Sequence, residues 1–385
     1  MDITISPRLL RGGLQIIPSK SQAHRYLICA ALGKQECTIL CPETNQDIDA
    51  TAQCLQVLGA TILRTEEGFR VTPIADPPRC AILNCRESGS TLRFLLPVAG
   101  ALGTEATFVM EGRLPYRPLS PLWEEMERMG CSLSRPTETT LLCTGKLRSG
   151  DYSIDGSVSS QYISGLLFAL PLIQDSSLSI TGKIESKPYI EMTKQAMTLF
   201  SRDNSPKTVK VEGDWSNGAF WLAANALGNQ IHVDGLMDDS PQGDRAAGHL
   251  IPALSSQLTI SAADIPDLVP ILSVVASCNH GAVFTDIQRL RIKESDRVAS
   301  TIAMLESLGG KAEATEDTLT VSPAKFHGGT VDACNDHRIA MSAAIAATIA
   351  TDPVTILGAQ CVKKSYPTFW EEYQKLGGRY EQYLR

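Results

Sequence analysis

Leu58-Gly59-Ala60-Thr61-Ile62-Leu63-Arg64-Thr65-Glu66-Glu67-Gly68-Phe69-Arg70-Val71-Thr72-Pro73 closes an amphipathic stretch and then alternates apolar and polar residues twice around a polar turn. Glycine just past a last helical turn suits the left-handed C′ position. Short alternating runs predict two half-buried strands. The same grammar returns as MGCSLSRPTETTLLCTG over Met129–Gly145 and as LGGKAEATEDTLTVSP over Leu308–Pro323. A helix followed by a hairpin thus recurs at wide separation, which identifies a fold more firmly than any one segment.

A second pattern fills the intervals: an alanine-rich helical stretch, a short break and a β-rich strand. It occurs at Ile28–Leu40, Val98–Met110, Leu166–Ile180, Trp221–Val233, Ile271–Asp286 and Ile345–Leu357. Breaks at Gly33, Gly103, Gln174, Gly228, Gly281 and Thr351 give spacings of 70, 71, 54, 53 and 70 residues. Each complete unit reads βαβαββ, and the two short spacings mark units that have lost material. Around Ser201–Gly213 a second helix and a reduced hairpin are expected; Ala246–Ala262 has room for one short element and one strand. Six units in 385 residues exceed what one core usually serves and predict two α/β (α+β) domains of three units. Small residues in the central helices let them pack closely.

The chain is 43% apolar and 20% charged, as in a soluble globular protein. Phe94–Gly103, Leu268–Cys278 and Ile339–Ala350 are too short or too rich in small residues to span a bilayer. Met1-Asp2-Ile3-Thr4 lacks the basic and apolar parts of an export signal, so a cytoplasmic location is expected. Eleven scattered cysteines, several in apolar context (Cys29, Cys54, Cys278), read as reduced core thiols. Six dispersed histidines offer no metal-ligand spacing. A net charge of −7 argues against a nucleic-acid surface. In an acidic protein, lysines and arginines set in Gly/Ser-rich turns suggest a local pocket for a small anion.

Those turns fall at starts and ends of the units. In Pro18-Ser19-Lys20-Ser21-Gln22-Ala23-His24-Arg25, Pro18 ends the strand-like Leu14–Ile17 and Ser19 or Ser21 can cap a helix. Lys20 and Arg25 bracket its first turn, where free N–H groups already favour an anion. Glu87-Ser88-Gly89-Ser90-Thr91-Leu92-Arg93 allows close backbone approach, with Arg93 one turn inside. Gly112-Arg113-Leu114-Pro115-Tyr116-Arg117-Pro118 holds two arginines in a proline-stiffened loop, which lowers the entropy lost on binding. Ser157, Ser159, Ser160 and Gln161, with Ser186 in Ser186-Lys187-Pro188-Tyr189, supply neutral donors. Asp267, ahead of an apolar helix, suits either a cap or a proton acceptor.

Arg291-Ile292-Lys293-Glu294-Ser295-Asp296-Arg297 follows the fifth unit's strand as Lys20 follows the first. Asn335-Asp336-His337-Arg338 opens the last alanine-rich helix, and Lys363-Lys364-Ser365-Tyr366-Pro367 lies beyond the final strand. Lys20, Arg117, Arg297, Arg338 and Lys364 are candidate anion ligands; Asp267 and Glu294 are candidates for proton transfer. No Walker phosphate loop, dinucleotide fingerprint or Gly-x-Ser-x-Gly elbow is present, which disfavours ATP chemistry, hydride transfer and that hydrolase class.

PSKSQAHR, ESGSTLR, the Arg-Pro loop, DGSVSSQ, SKPY, IPD, RIKESDR, NDHR and CVKKSYP stand in the order found in the 5-enolpyruvylshikimate-3-phosphate synthase family, which the chain resembles from about Gly13 to Pro367. The resemblance implies transfer of the enolpyruvyl group of phosphoenolpyruvate to the 5-hydroxyl of shikimate 3-phosphate, with release of phosphate, on the way to chorismate and the aromatic amino acids. It implies an enolpyruvyl-transferase fold of two three-unit domains, residues 1–18 with 213–385 and residues 19–212, closing over a cleft. It implies no cofactor or metal, small-molecule partners only and a monomer.

By the same resemblance, phosphoenolpyruvate falls to Lys20, Gly89, Arg117, Gln161, Arg297, Arg338 and Lys364. Shikimate 3-phosphate falls to Lys20, Ser21, Arg25, Ser159, Ser160, Gln161, Ser186, Asp267 and Lys293. Asp267 is expected to take the hydroxyl proton, and Glu294 with Lys20 to protonate and later deprotonate the methyl carbon; Arg93 looks like a supporting cation beside Gly89. Glu87 and Arg289 each stand where the family commonly has asparagine. The sister enzyme acting on UDP-N-acetylglucosamine has a reactive cysteine before its Arg-Pro, and Gly112–Tyr116 contains none. A non-catalytic anion-binding relative would need neither Asp267 nor Glu294.

Overall fold

In a computed structural model, residues 1–201 and 206–383 are described. Their contacts divide the chain into two compact units, Met1–Ile17 with Gly213–Arg385, and Pro18–Glu212.

The contiguous unit carries three sheets. In the first, Thr208–Lys210 runs parallel to Cys37–Leu40, followed by the hairpin strands Gly68–Thr72 and Thr61–Arg64. The second repeats this order with Cys80–Arg86, Glu105–Met110, Thr140–Gly145 and Cys131–Thr137. The third has two parallel strands, Asp151–Asp155 and Ser177–Thr181. The other unit repeats the scheme. Arg11–Gln15 and Gln230–Asp234 form a two-stranded sheet, and Leu258–Ser261, Ala282–Thr285, Thr318–Ser322 and Lys311–Ala314 a four-stranded one. Gly329–Asp332 and Val354–Leu357 are completed by Asp2–Ser6 and Arg379–Tyr383.

Each of the six expected helix–strand pairs is present, and the two short spacings belong to the two-stranded sheets. Two details differ from the sequence reading. The strand placed at Leu14–Ile17 lies at Arg11–Gln15, because its parallel partner Gln230–Asp234 fixes the register. The reduced hairpin expected around Ser201–Gly213 is not formed by the strand described there. Residues 202–205 lie outside the described residues, and Thr208–Lys210 pairs with Cys37–Leu40 rather than with Ser177–Thr181. One short alternation shows a strand but not which distant edge receives it.

Helices Lys20–Ala31, Gly89–Leu102 and Ser160–Ala169 bury small and branched residues in one core, and Trp215–Ala226, Val269–Cys278 and His337–Ala347 do so in the other. Close approach is enforced by small residues. A Cβ on Gly165 would stand 2.2 Å from the Arg93 carbonyl oxygen, so only glycine lets Ser160–Ala169 lie against Gly89–Leu102. No helix among the described residues is long and apolar enough to cross a membrane.

Candidate active site

The polar motifs become helix starts because their first hydroxyl or carboxylate caps the helix. Ser19 accepts from the Gln22 N–H, Ser88 from Thr91, Ser159 from Gln161, Asp296 from Val298 and Ala299, and Asp336 from Arg338. Capping places the next charged residues at the positive end of each helix.

In the Pro18–Glu212 unit, hydrogen bonds join these starts. Lys20 Nζ lies 3.0 Å from Asp47 Oδ2. A buried hydroxyl chain runs from His24 Nδ1 to Thr51 (2.7 Å), Thr91 (2.7 Å) and Ser88 (2.7 Å). Burial, followed by the charges of Lys20 and Arg25, holds the His24 pKa well below its ordinary value, so its ring is neutral. Arg25 is buried and donates to Thr193 Oγ1 (2.8 Å), the Ser21 carbonyl (2.7 Å) and the Tyr189 carbonyl (2.9 Å). Three of its N–H groups thus serve the protein, and burial lowers its pKa to about 10.

Arg93 donates to Gln161 Oε1 at 2.9 Å and to the Pro118 carbonyl at 3.1 Å, while Gln161 Nε2 donates to Ser90 Oγ at 3.0 Å. Lys20, Ser21, Gly89, Ser159, Ser160, Gln161 and the buried, left-handed Ser186 (φ 52°) therefore lie at, or one residue before, the N-terminal ends of four helices. Glu87 presses on the Arg-Pro loop: a Cβ on Gly112 (φ +55°) would lie 2.3 Å from Glu87 Oε2.

Gly89 is enclosed by two cations. A Cβ there would lie 2.6 Å from Arg93 Nη1 and 2.8 Å from Arg117 Nη1. Both neighbours are ends of flexible side chains, so Gly89→Ala should displace the guanidinium groups rather than unfold the helix. An about tenfold or larger rise in KM for an anion held by Arg117, with an unchanged melting temperature, is the expected result of steady-state kinetics.

In the other unit the charges converge on Arg297, which is 1 % exposed. It donates to Asp336 Oδ2 (2.8 Å), Asp267 Oδ1 (2.6 Å) and Glu294 Oε2 (2.6 Å). These carboxylates hold the Arg297 pKa above its ordinary value although burial, the largest single influence, opposes them. Arg338 donates to Asp267 Oδ2 at 3.3 Å and to the Ser216 carbonyl at 3.0 Å. Lys293 Nζ is 3.7 Å from Asp267 Oδ1, and Lys364 Nζ donates to the Asn335 carbonyl at 2.8 Å. Asp267, Lys293, Glu294, Arg297 and Arg338 thus form one ion cluster at helix starts. Asp267 does not cap its helix, whose N-cap is Leu268 without a side-chain bond.

Sequence reasoning missed Asp336, the buried partner that holds Arg297. Its signal was its place directly before a helix beside two basic residues. Asp47 was missed too, since an acid in a first helical turn usually only complements the dipole.

The EPSP synthase (3-phosphoshikimate 1-carboxyvinyltransferase) family model matches residues 5–373. The 3-phosphoshikimate 1-carboxyvinyltransferase of Clostridium kluyveri is 38% identical, covering 99% of this chain and 98% of that protein, and that of Clostridioides difficile is 35% identical with 99% and 98% covered. The first alignment runs over 424 positions, more than the chain's own length, so that relative carries residues this chain lacks. EPSP synthase from Acinetobacter baumannii shares the fold with TM-score 0.78 at 20% identity, over 99% of this chain and all of that one. The enolpyruvyl transferase NikO from Streptomyces tendae does so with TM-score 0.71 at 16% identity, over 99% and 98%. With helix-start cations, paired acids and near-complete coverage by close relatives all in agreement, the chain belongs to the EPSP synthase family.

Proposed function

We propose that the chain transfers the enolpyruvyl group of phosphoenolpyruvate to the 5-hydroxyl of shikimate 3-phosphate, with both helix-start clusters contributing groups to that reaction. Family membership supports the reaction, and the Arg297–Asp267–Arg338 cluster is the observation that carries its assignment to residues. Lys20, Gly89, Arg117, Gln161, Arg297, Arg338 and Lys364 serve phosphoenolpyruvate. Lys20, Ser21, Arg25, Ser159, Ser160, Gln161, Ser186, Asp267 and Lys293 serve shikimate 3-phosphate.

Asp267 accepts the proton of the attacking hydroxyl, and Glu294 with Lys20 moves the proton at the methylene carbon. Addition gives a tetrahedral intermediate that expels phosphate. The cations neutralise charge that builds on the phosphate and carboxylate, and fixed donors do this without reorganising during the reaction. Phosphate release from phosphoenolpyruvate, measured with and without shikimate 3-phosphate, tests the assignment. Release only with UDP-N-acetylglucosamine would overturn it.

Lys293 adds a pH dependence. Burial lowers its pKa to about 8, with Asp267 resisting and Arg289 and Arg297 reinforcing the fall. The ammonium is charged below about 8 and neutral above it. Affinity for shikimate 3-phosphate should therefore weaken as pH rises through about 8, and Lys293→Met should flatten that limb in a calorimetric titration. The linked stability has the opposite sign. From about 8 up to the ordinary lysine value of 10.5 the unfolded chain binds more protons, so folding stability gains from this group as pH rises.

A further inference from the structure

Asp244 has no role in the chemistry above, yet it is completely buried. It lies in the short Gly243–Ala246 turn, packed against the start of the Trp215–Ala226 helix. Ser216 joins it to the candidate site. The Ser216 hydroxyl donates to Asp244 Oδ2, and the Ser216 carbonyl accepts from Arg338 Nη1 at 3.0 Å. The second oxygen, Asp244 Oδ1, is buried with no hydrogen-bond partner among the described residues, and so is Arg338 Nε. An ionised carboxylate with an unused buried oxygen is expensive, and taking up a proton relieves it.

We propose that Asp244 is a positioning residue for Arg338: acting through Ser216, it holds the guanidinium, and its charge state sets how much positive charge Arg338 offers an anionic substrate. This rests on the reading that Arg338 binds phosphoenolpyruvate. The charged groups that bear on Asp244 are Asp267, Arg338 and Asp214. On its own turn Arg245 is directed to the Asp238 carbonyl, and on the next helix His249 is exposed. Burial first, then the charge of Asp267, raises the Asp244 pKa to about 7; Arg338 and the Ser216 hydroxyl lower it and Asp214 adds to the rise. Below about 7 the carboxyl is neutral, and Asp267 faces Arg338 without a negative charge on Asp244 beside it. Above it, a second negative charge competes with the substrate for the same guanidinium.

Steady-state kinetics of the full chain from about pH 6 to about pH 9, with saturating shikimate 3-phosphate, separate KM for phosphoenolpyruvate from kcat. The wild-type KM should rise above about pH 7. Asp244→Asn, permanently neutral, should reduce that rise about threefold or more, with the effect on KM rather than kcat. Ser216→Ala removes the hydroxyl that donates to Asp244 Oδ2 and should move the rise to higher pH, so the idea remains testable if the Asn variant folds poorly. Parallel KM–pH curves for the wild type and a folded variant, or a change in kcat alone, would overturn the proposal while the reaction stands. Absence of wild-type turnover with shikimate 3-phosphate would overturn the underlying reading, and this proposal with it.

Discussion

Asp267→Asn should lower turnover roughly 10²–10⁴-fold while both substrates still bind. Asparagine keeps the size of the side chain and one acceptor, but it cannot take a proton from a substrate hydroxyl. The cations around it remain: Arg297 at 2.6 Å, Arg338 at 3.3 Å and Lys293 at 3.7 Å. Because Leu268, not Asp267, occupies the N-cap, the helix start should survive. Glu294→Gln belongs to the same class, since Glu294 is held by Arg297 at 2.6 Å and is a quarter exposed. Single-turnover rates paired with equilibrium binding separate lost chemistry from lost affinity. Turnover within a few fold of wild type in both variants would remove these acids from the mechanism.

Arg297→Met is expected to destabilise its unit by about 3–5 kcal/mol, because it strands buried charge. Asp336 is fully buried, and Arg297 supplies its charge partner at 2.8 Å. The bonds from Ser295 (3.0 Å) and the Arg338 N–H (2.9 Å) would remain without a cation. Methionine fills much of the space, so the loss would be electrostatic more than a cavity effect. Urea unfolding reads the size, and a loss below about 1 kcal/mol would mean that Asp336 finds another partner or takes a proton. Arg297→Met with Asp336→Asn should recover much of the loss, which a packing defect would not allow.

The fold was legible where its signals are local. Helix capping by Ser19 and Ser88, glycine after the last helical turn and alternation in Thr61–Thr72 all lie within a few residues of what they specify. Pairing between distant strands was not legible. Thr208-Val209-Lys210 alternates as any edge strand does, and its parallel partner lies far back in the chain at Cys37–Leu40. The candidate site divides the same way. Cations in turn motifs can be read from residue type and place, and the resemblance assigned them substrates. The buried acids Asp336 and Asp244 could not be read so, because a cap and a counter-ion look alike until burial is known. Arg25 shows the reverse: a basic residue in an anion-binding motif commits three donors to the protein itself.

Among the described residues, the strands Asp2–Ser6 and Arg11–Gln15 find their partners at Val354–Leu357, Arg379–Tyr383 and Gln230–Asp234. On the ribosome, both must therefore wait as unpaired chain while the whole of Pro18–Glu212 emerges. That middle unit can complete its contacts first, and pairing of the ends then closes the long loop that it forms in the chain. Shortening the chain from Arg379 onward would leave Asp2–Ser6 without one of its two neighbours. Such a product should assemble the middle unit normally and leave the outer one open to proteolysis.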